Sequence, residues 1–239
     1  MNLKQLATMS ALMLVGSQSA FAALITPDVI FGSGNDNGSF TVTKFDSGGI
    51  IELGLRAKLR YNDAGNPENT FNWDGVDTYT FLPTAGTPAN RSVFNYEWSI
   101  NTQDRNASIE TLIDSGAYAR IEYDIDPSIL TNFVSYDPFD FDAYYGTNAT
   151  GNGGGTYDNT GTPVSGATVA QNSVNYGFLP GAPLEQGIYD VRLSAFNSSG
   201  QQLGSTAIRI NSVPEPSILA LMGLGLAGLS VARYRKQKA

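Results

Sequence analysis

The sequence has no cysteine and no histidine among its 239 residues. Without cysteine there is no disulfide and no thiol chemistry, so the fold depends on the burial of side chains alone. Without histidine, the usual nucleophile pairs with serine or cysteine are excluded. Zinc sites built from histidine and cysteine are excluded as well. Oxygen ligands remain, and calcium is a cation that they suit.

Basic side chains are also scarce. The chain has 14 Lys and Arg against 22 Asp and Glu, a net charge of −8. Residues 23–212 alone hold nine basic and 21 acidic side chains, a net charge of −12. A domain this acidic repels phosphates, so we expect no nucleic-acid partner and no electrostatic attraction to anionic lipid.

The first 22 residues have the three parts of a secretory signal peptide. Lys4 precedes a short apolar run at 6–15, and Ala20 and Ala22 form an A-x-A cleavage site. A buried helix of the mature fold is the alternative, but the order of the three parts favours a signal peptide. We therefore expect export, cleavage after Ala22 and a mature domain over residues 23–212.

The last 27 residues also have three parts. A Val-Pro-Glu-Pro motif at 213–216 precedes an apolar run at 217–232 and a basic tail at 233–239. As a helix the run is about 24 Å long, short against a hydrocarbon core of about 30 Å, so spanning requires a thinned bilayer or snorkelling by Arg233. The basic tail is expected to remain in the cytoplasm. The motif residues are Val213, Pro214, Glu215 and Pro216, and the membrane-flanking basic residues are Arg233, Arg235, Lys236 and Lys238.

This C-terminal pattern resembles the PEP-CTERM sorting signal, and the resemblance covers residues 213–239. It implies that a membrane-embedded exosortase recognises Pro-Glu-Pro and removes the tail. It also implies anchoring in the inner membrane before processing, then a periplasmic, cell-surface or extracellular location in a bacterium that makes polysaccharide and biofilm matrix. The same tail is also labelled an ice-binding protein C-terminal domain, a label that describes the tail only. An ordinary single-span anchor is the alternative.

Strict alternation of apolar and polar side chains dominates the middle of the chain. It predicts long strands at 52–61, 94–101, 117–126 and 189–195, and shorter ones at 40–45, 77–82 and 203–210. A period of two with one apolar face is typical of antiparallel sheet with one solvated side. The predicted fold is an all-β antiparallel sandwich, immunoglobulin-like or jelly-roll-like. Helical turns are predicted only at 107–114 and 164–172.

Residues 184–189 fit L-x-x-G-x-Y just before a predicted strand. The pattern resembles the tyrosine corner of immunoglobulin-like sandwiches, which implies a bond from the Tyr189 hydroxyl to upstream backbone and a final hairpin formed by the last two strands. A chance Gly-x-Tyr is the alternative. The stretch at about 137–187 is rich in glycine and aromatic residues, and it is predicted to be one long loop.

Three kinds of site compete in this domain. Glu97 and Glu122, with many other acids, could supply the paired carboxylates of a secreted glycan-active enzyme, although 21 acids make such pairs common by accident. A calcium site is the second kind, with a solvated acidic turn as its alternative. Sugar contact is the third, with rings that pin the loop to the core as its alternative. The calcium candidates are Asp137, Asp140 and Asp142, near Asp124 and Asp126, and the sugar candidates are Trp73, Tyr144 and Tyr145.

Together these patterns predict a non-enzymatic surface or matrix protein that binds polysaccharide or surface partners. Its predicted partners are an exosortase-type enzyme, extracellular polysaccharide and the inner membrane. No cofactor other than calcium is expected. A glycan-active enzyme and a calcium-stabilised adhesion module are the alternatives.

Overall fold

The computed structural model describes residues 30–32, 38–140 and 143–212, which form two packed β-sheets. The prediction of an all-β sandwich is confirmed. The predicted signal peptide, the sorting motif and the apolar run at 217–232 lie outside the described residues. The strands are β1 Thr41–Asp46, β2 Ile50–Tyr61, β3 Pro67–Thr70, β4 Thr78–Thr80, β5 Phe94–Asn101, β6 Tyr118–Asp124, β7 Phe133–Tyr136, β8 Ala143–Gly146, β9 Thr156–Asp158, β10 Val169–Asn175, β11 Gly187–Phe196 and β12 Gln202–Ser212. Helix α1 is Ile109–Asp114, and 3-10 turns lie at Gln103–Arg105 and Tyr176–Phe178.

The first sheet has the strand order β1-β2-β5-β10-β8-β9, with β3 also paired to β2. The second sheet has the order β4-β12-β11-β6-β7. Among the named strands, only β4 and β12 pair in parallel. Strands β11 and β12 form the predicted final hairpin, which places Tyr189 opposite Ile210.

The core lies between the two sheets, as the alternation predicts. In the first sheet, Leu53 pairs with Ile100 and Leu55 pairs with Trp98, and all four side chains are buried. The second sheet contributes the alternate positions of β6, β11 and β12. Because the long strands of both sheets present apolar residues to the layer between them, the two inner faces bury one main core.

The tyrosine corner is confirmed. The Tyr189 hydroxyl donates a hydrogen bond of 2.7 Å to the carbonyl of Glu185, four residues upstream. Tyr189 belongs to a set of core tyrosines whose hydroxyl pKa values burial raises, because a buried phenolate would lose its hydration. The buried tyrosines are Tyr79, Tyr96, Tyr123, Tyr145, Tyr176 and Tyr189, and the half-buried Tyr136 belongs to the same set.

The prediction of one solvated side is wrong for the first sheet. Every residue of β5 is buried, including the polar ones that face away from the core. Residues 30–32 and 38–40 cover this outer face. Phe31 packs on Val169 and Tyr144, and Phe40 forms a small apolar cluster with Ile30 and Val42. Alternation predicts which residues share a face, but not whether another segment covers it.

Two further predictions differ from the structure. The stretch at 137–187 is not one loop, because β8, β9 and β10 lie within it. The helical turn predicted at 164–172 is wrong, since residues 164–168 form no helix and the last four residues belong to β10, which pairs with β5 on one side and β8 on the other. The turn predicted at 107–114 is confirmed as α1, whose N-cap Ser108 accepts a hydrogen bond of 3.1 Å from the Thr111 amide.

Candidate functional site

A network of buried charges lies on the covered outer face of the first sheet. Arg56 of β2 stands directly opposite Glu97 of β5 and forms an ion pair with it. Lys58, the next outward residue of β2, places its ammonium nitrogen 2.5 Å from the second Glu97 oxygen. None of the three side chains is more than 2% exposed. Buried charges of this kind persist only when they are paired.

Aromatic rings seal this network. The Arg56 guanidinium lies 4.2 Å from the ring centre of Phe40 and 4.3 Å from that of Phe71. It also donates a hydrogen bond to the Gly38 carbonyl at 2.5 Å. Burial lowers the pKa of Lys58, while the charge of Glu97 acts to raise it. The arrangement fastens residues 38–40 onto the sheet, and it leaves Glu97 enclosed.

The two carboxylates considered for glycan hydrolysis are not brought together. Glu97 belongs to the first sheet, whereas Glu122 lies on the outer face of β6 in the second sheet. Glu122 pairs with the Arg192 guanidinium at 3.2 Å. A two-acid mechanism needs carboxyl groups about 5–10 Å apart around one bond. These two acids lie on opposite outer faces, so they do not form such a site.

The acidic residues near the predicted calcium site mostly hold turns. Asp124 is buried, and its carboxylate accepts hydrogen bonds from the Asp126 amide at 3.0 Å and the Asn132 amide at 2.7 Å. Asp137 accepts from the Phe139 amide at 2.9 Å, and burial raises the pKa of its carboxyl. Asp140 is exposed, and Asp142 lies outside the described residues. Within the part that the structure describes, no three acidic side chains are grouped to hold a metal ion.

The three predicted sugar-contact residues are separated. Trp73 stacks on Tyr79 at 6.2 Å beside β4, and its ring packs partly against the core. Tyr145 is 2% exposed within the core and offers no ring surface to a ligand. Tyr144 points to the opposite face of the same strand, where its ring meets the exposed Tyr157 at 5.1 Å. The structure therefore leaves one aromatic pair, Tyr144 and Tyr157, at the far edge of the first sheet.

The outer face of the second sheet carries a different surface, which the sequence did not reveal as one site. Three arginines from β6, β11 and β12 lie on it, and each contacts an acid or an aromatic ring. The contacts are Arg120 on Phe196 at 5.0 Å, Arg192 on Phe133 at 5.2 Å, and Arg209 with Asp190 at 2.8 Å. Tyr118 and Phe196 stack at 4.8 Å beside them. We call this the arginine face.

A cleft of about 300 Å³ opens on the arginine face. Phe133 lies on one side of it, and the polar groups come from two acids, a threonine and two arginines, namely Asp77, Asp190, Thr78, Arg192 and Arg209. Because Arg192 and Arg209 are 43% and 44% exposed, both guanidinium groups keep donors available to solvent. The alternation of β6 and β11 predicts that Glu122, Asp190 and Arg192 lie on the polar sides of their strands. Only the register, which sets Arg192 opposite Glu122 and Asp190 opposite Arg209, brings these side chains together on one surface.

Residues 212–236 match the family model of the PEP-CTERM protein-sorting motif. The match defines a class of exported proteins that a membrane enzyme sorts by a C-terminal signal. Within that class, this chain carries the PEP-CTERM motif and is sorted by an exosortase, as its tail predicts. The match begins at Ser212, which is the last residue of β12.

A search of curated proteins finds no match. In residues 30–32, 38–140 and 143–212, no helix has the length and apolar character that crossing a membrane requires. The predicted cleavage residues Ala20 and Ala22 and the basic residues at 233–238 lie outside these ranges.

Proposed function

We propose that this protein is a non-enzymatic component of the cell surface or extracellular matrix, and that its sandwich binds polysaccharide through the arginine face. The observation that carries the proposal is the 300 Å³ cleft, where guanidinium donors and the Phe133 ring lie side by side on an open sheet. Sugars present both apolar C–H faces and hydroxyl groups. Aromatic rings suit the first, and charged donors suit the second.

The charge distribution favours this face over the rest of the domain. Residues 23–212 have only nine basic side chains, and three of them lie on the arginine face. Asp77 and Asp190 also line the cleft, so two acids and two arginines balance there, whereas acids outnumber basic side chains over the rest of residues 23–212. A polysaccharide that carries carboxylates therefore meets less repulsion at this face than the net charge of the domain implies. The two considered acids, Glu97 and Glu122, are each paired with a basic side chain, which supports binding rather than catalysis.

The second part of the proposal concerns export of the protein and its temporary anchoring at the inner membrane. The signal peptide directs export, and the apolar run at 217–232 holds the domain at the inner membrane until the exosortase acts at 214–216. The basic tail that follows supports a cytoplasmic C-terminus during this stage. After processing, the sandwich is the part that remains outside.

The strand order supports an immunoglobulin-like topology for the sandwich. Strands β2, β5, β10 and β8 follow the order of strands A, B, E and D in such folds. Strands β6, β11 and β12 follow the order of C, F and G in the opposite sheet. The tyrosine corner at Tyr189 lies at the start of the strand that corresponds to F, where this family of sandwiches has it.

Retention of the protein on its host's extracellular polysaccharide tests the binding. We expect Arg192→Ala to weaken retention about tenfold, a loss of about 1.4 kcal/mol, since it removes a central exposed donor. Arg91→Ala is the matched control, because Arg91 also lies over an aromatic ring, Phe178, but away from the arginine face. Equal retention of both variants and the wild type would contradict the proposed face. Release of soluble sugar would contradict the non-enzymatic role.

A further inference from the structure

One end of the sandwich carries most of the exposed apolar side chains in the described residues. The described residues include seven exposed large apolar side chains, and five of the seven lie at this end. Their exposed fractions range from 45% to 69%. The five are Leu82, Ile129, Leu130, Phe178 and Leu184, and we call them the apolar end. Soluble domains seldom concentrate such side chains without a partner.

The apolar end surrounds the point where β12 stops. Ser212 pairs with Gly187, so Leu184 lies just before that pairing. The Ile188 amide donates to the Pro127 carbonyl at 3.0 Å, which places the 128–131 turn alongside. The Phe81 amide donates to the Asn211 carbonyl at 2.9 Å, so Leu82 follows at the same level.

The turn that carries Ile129 and Leu130 is fixed by its own hydrogen bonds. The Ser128 amide donates to the Asp126 carboxylate at 2.9 Å, and the Leu130 amide donates to the Ser128 hydroxyl at 3.1 Å. These bonds hold two adjacent aliphatic side chains outward, 65% and 69% exposed. The contact surface is therefore formed before any partner arrives, which lowers the entropic cost of docking.

The chain beyond Ser212 limits how far this end can lie from a membrane. Only residues 213–216 separate Ser212 from the apolar run at 217–232. Four extended residues reach at most about 14 Å. When the run is in the bilayer, the apolar end must face the membrane at close range.

We propose that the apolar end rests on the outer surface of the inner membrane while the sorting tail is in the bilayer. This inference rests on the proposed membrane stage of the function. The contact is apolar, because the domain's negative charge gives no attraction to anionic lipid. Ile129, Leu130 and Leu184 enter the interface, where aliphatic side chains gain by leaving water.

Single cysteines can report this contact, because the natural chain has none. The full chain would be placed in phosphatidylcholine vesicles that contain nitroxide lipids, with a fluorophore at Leu130→Cys or Leu184→Cys. Ser199→Cys, in the exposed β11–β12 turn at the opposite end, is the control. We expect quenching at 130 and 184 to exceed that at 199 by at least about threefold. A label at Leu224→Cys reports whether the tail is inserted.

The outcomes separate the two proposals. Quenching at 224 without excess quenching at 130 and 184 overturns the apolar contact and leaves the membrane stage standing. No quenching at 224 overturns the membrane stage and this contact with it. An environment change at 130 that requires the sorting enzyme and shows no lipid quenching assigns the end to a protein partner, and so overturns lipid contact.

A matched pair of substitutions tests whether the quenching depends on the apolar end itself and not on the fluorophore label. With the fluorophore at 184, Ile129→Ser is expected to reduce lipid quenching about twofold, since a neighbouring apolar contact is lost. Val76→Ser is the control, because Val76 is 62% exposed but lies beside the middle of β12, next to Asp77, whose carbonyl accepts from the Arg209 amide. Equal reductions by both substitutions would overturn the assigned surface.

Discussion

The substitution Glu97→Gln tests the buried charge network of the first sheet. It keeps the shape of the side chain and removes its charge. In the wild-type protein its two partners, Arg56 and Lys58, are only 0% and 2% exposed. Removing one partner of a buried ion pair costs about 3–5 kcal/mol, because the other charge stays in a medium of low polarity. Here two cations share one carboxylate, so we expect a loss of free energy of unfolding within that range.

The pH dependence of this loss has a definite sign. Burial already lowers the pKa of Lys58 below its unfolded value, and the charge of Glu97 opposes that shift. In Glu97→Gln the pKa of Lys58 falls further. Between that lowered pKa and the unfolded value of 10.5, the unfolded state binds more protons, so stability rises with pH. The loss caused by Glu97→Gln is therefore expected to be larger at about pH 6 than at about pH 9.

Urea unfolding of the wild type and three variants provides the assay. The midpoints should shift without a change of m-value. Glu122→Gln, which breaks a partly exposed pair with Arg192, is expected to cost about 0–1 kcal/mol. Lys58→Met should cost less than Glu97→Gln, because Glu97 keeps Arg56. A loss of free energy of unfolding below about 1 kcal/mol for Glu97→Gln would refute the reasoning, since leaving a buried charge without its partner costs more than that.

Three other predictions follow from the core and its cover. Tyr189→Phe should cost about 1–2 kcal/mol through the lost corner bond, and a melting temperature no lower than that of Tyr118→Phe would contradict it. Gly155→Ala should cost about 1–3 kcal/mol, because its Cβ would lie 2.1 Å from the Phe31 ring. Gly151→Ala has open space and should be neutral in the same denaturation assay; equal effects would refute the packing. The buried tyrosines keep their protons above pH 10 while the unfolded chain loses them, so stability should fall by about 1.4 kcal/mol per pH unit for each. Part of the phenolate absorbance should appear only together with unfolding, and a rise near pH 10 that accounts for all 12 tyrosines while the protein is still folded would contradict the burial.

Much of the fold could be predicted, because the alternation of apolar and polar side chains along a strand indicates that one face of that strand is buried. Strands β2, β5, β6 and β11 each place apolar residues toward the core, so their existence was readable from spacing alone. Strand β10 was not. Its sequence VAQNSVN has a mixed, polar character, and its pairing with β5 and β8 supplies the hydrogen bonds that make it a strand. Tertiary pairing overrides local propensity there.

Some of the sites could be predicted from the sequence, and others could not. The sorting motif is a linear signal, so the sequence was sufficient to predict it. The arginine face needs the register that sets Arg192 beside Glu122, and the buried network needs residues 38–40 to fold back over the sheet. The opposite charges of Arg56 and Glu97 were present in two predicted strands, but nothing local indicated that those strands are neighbours.

Strand β12 leads into the sorting motif with no intervening segment, and this has a mechanical consequence. A pull on the chain at Ser212 acts along the axis of β12, which is held by β11 on one side and β4 on the other. Ten residue pairs register β11 with β12. Tension along the strand loads these pairs together rather than one at a time. A β-sandwich that is pulled at this point can therefore bear tension along β12 while it remains folded.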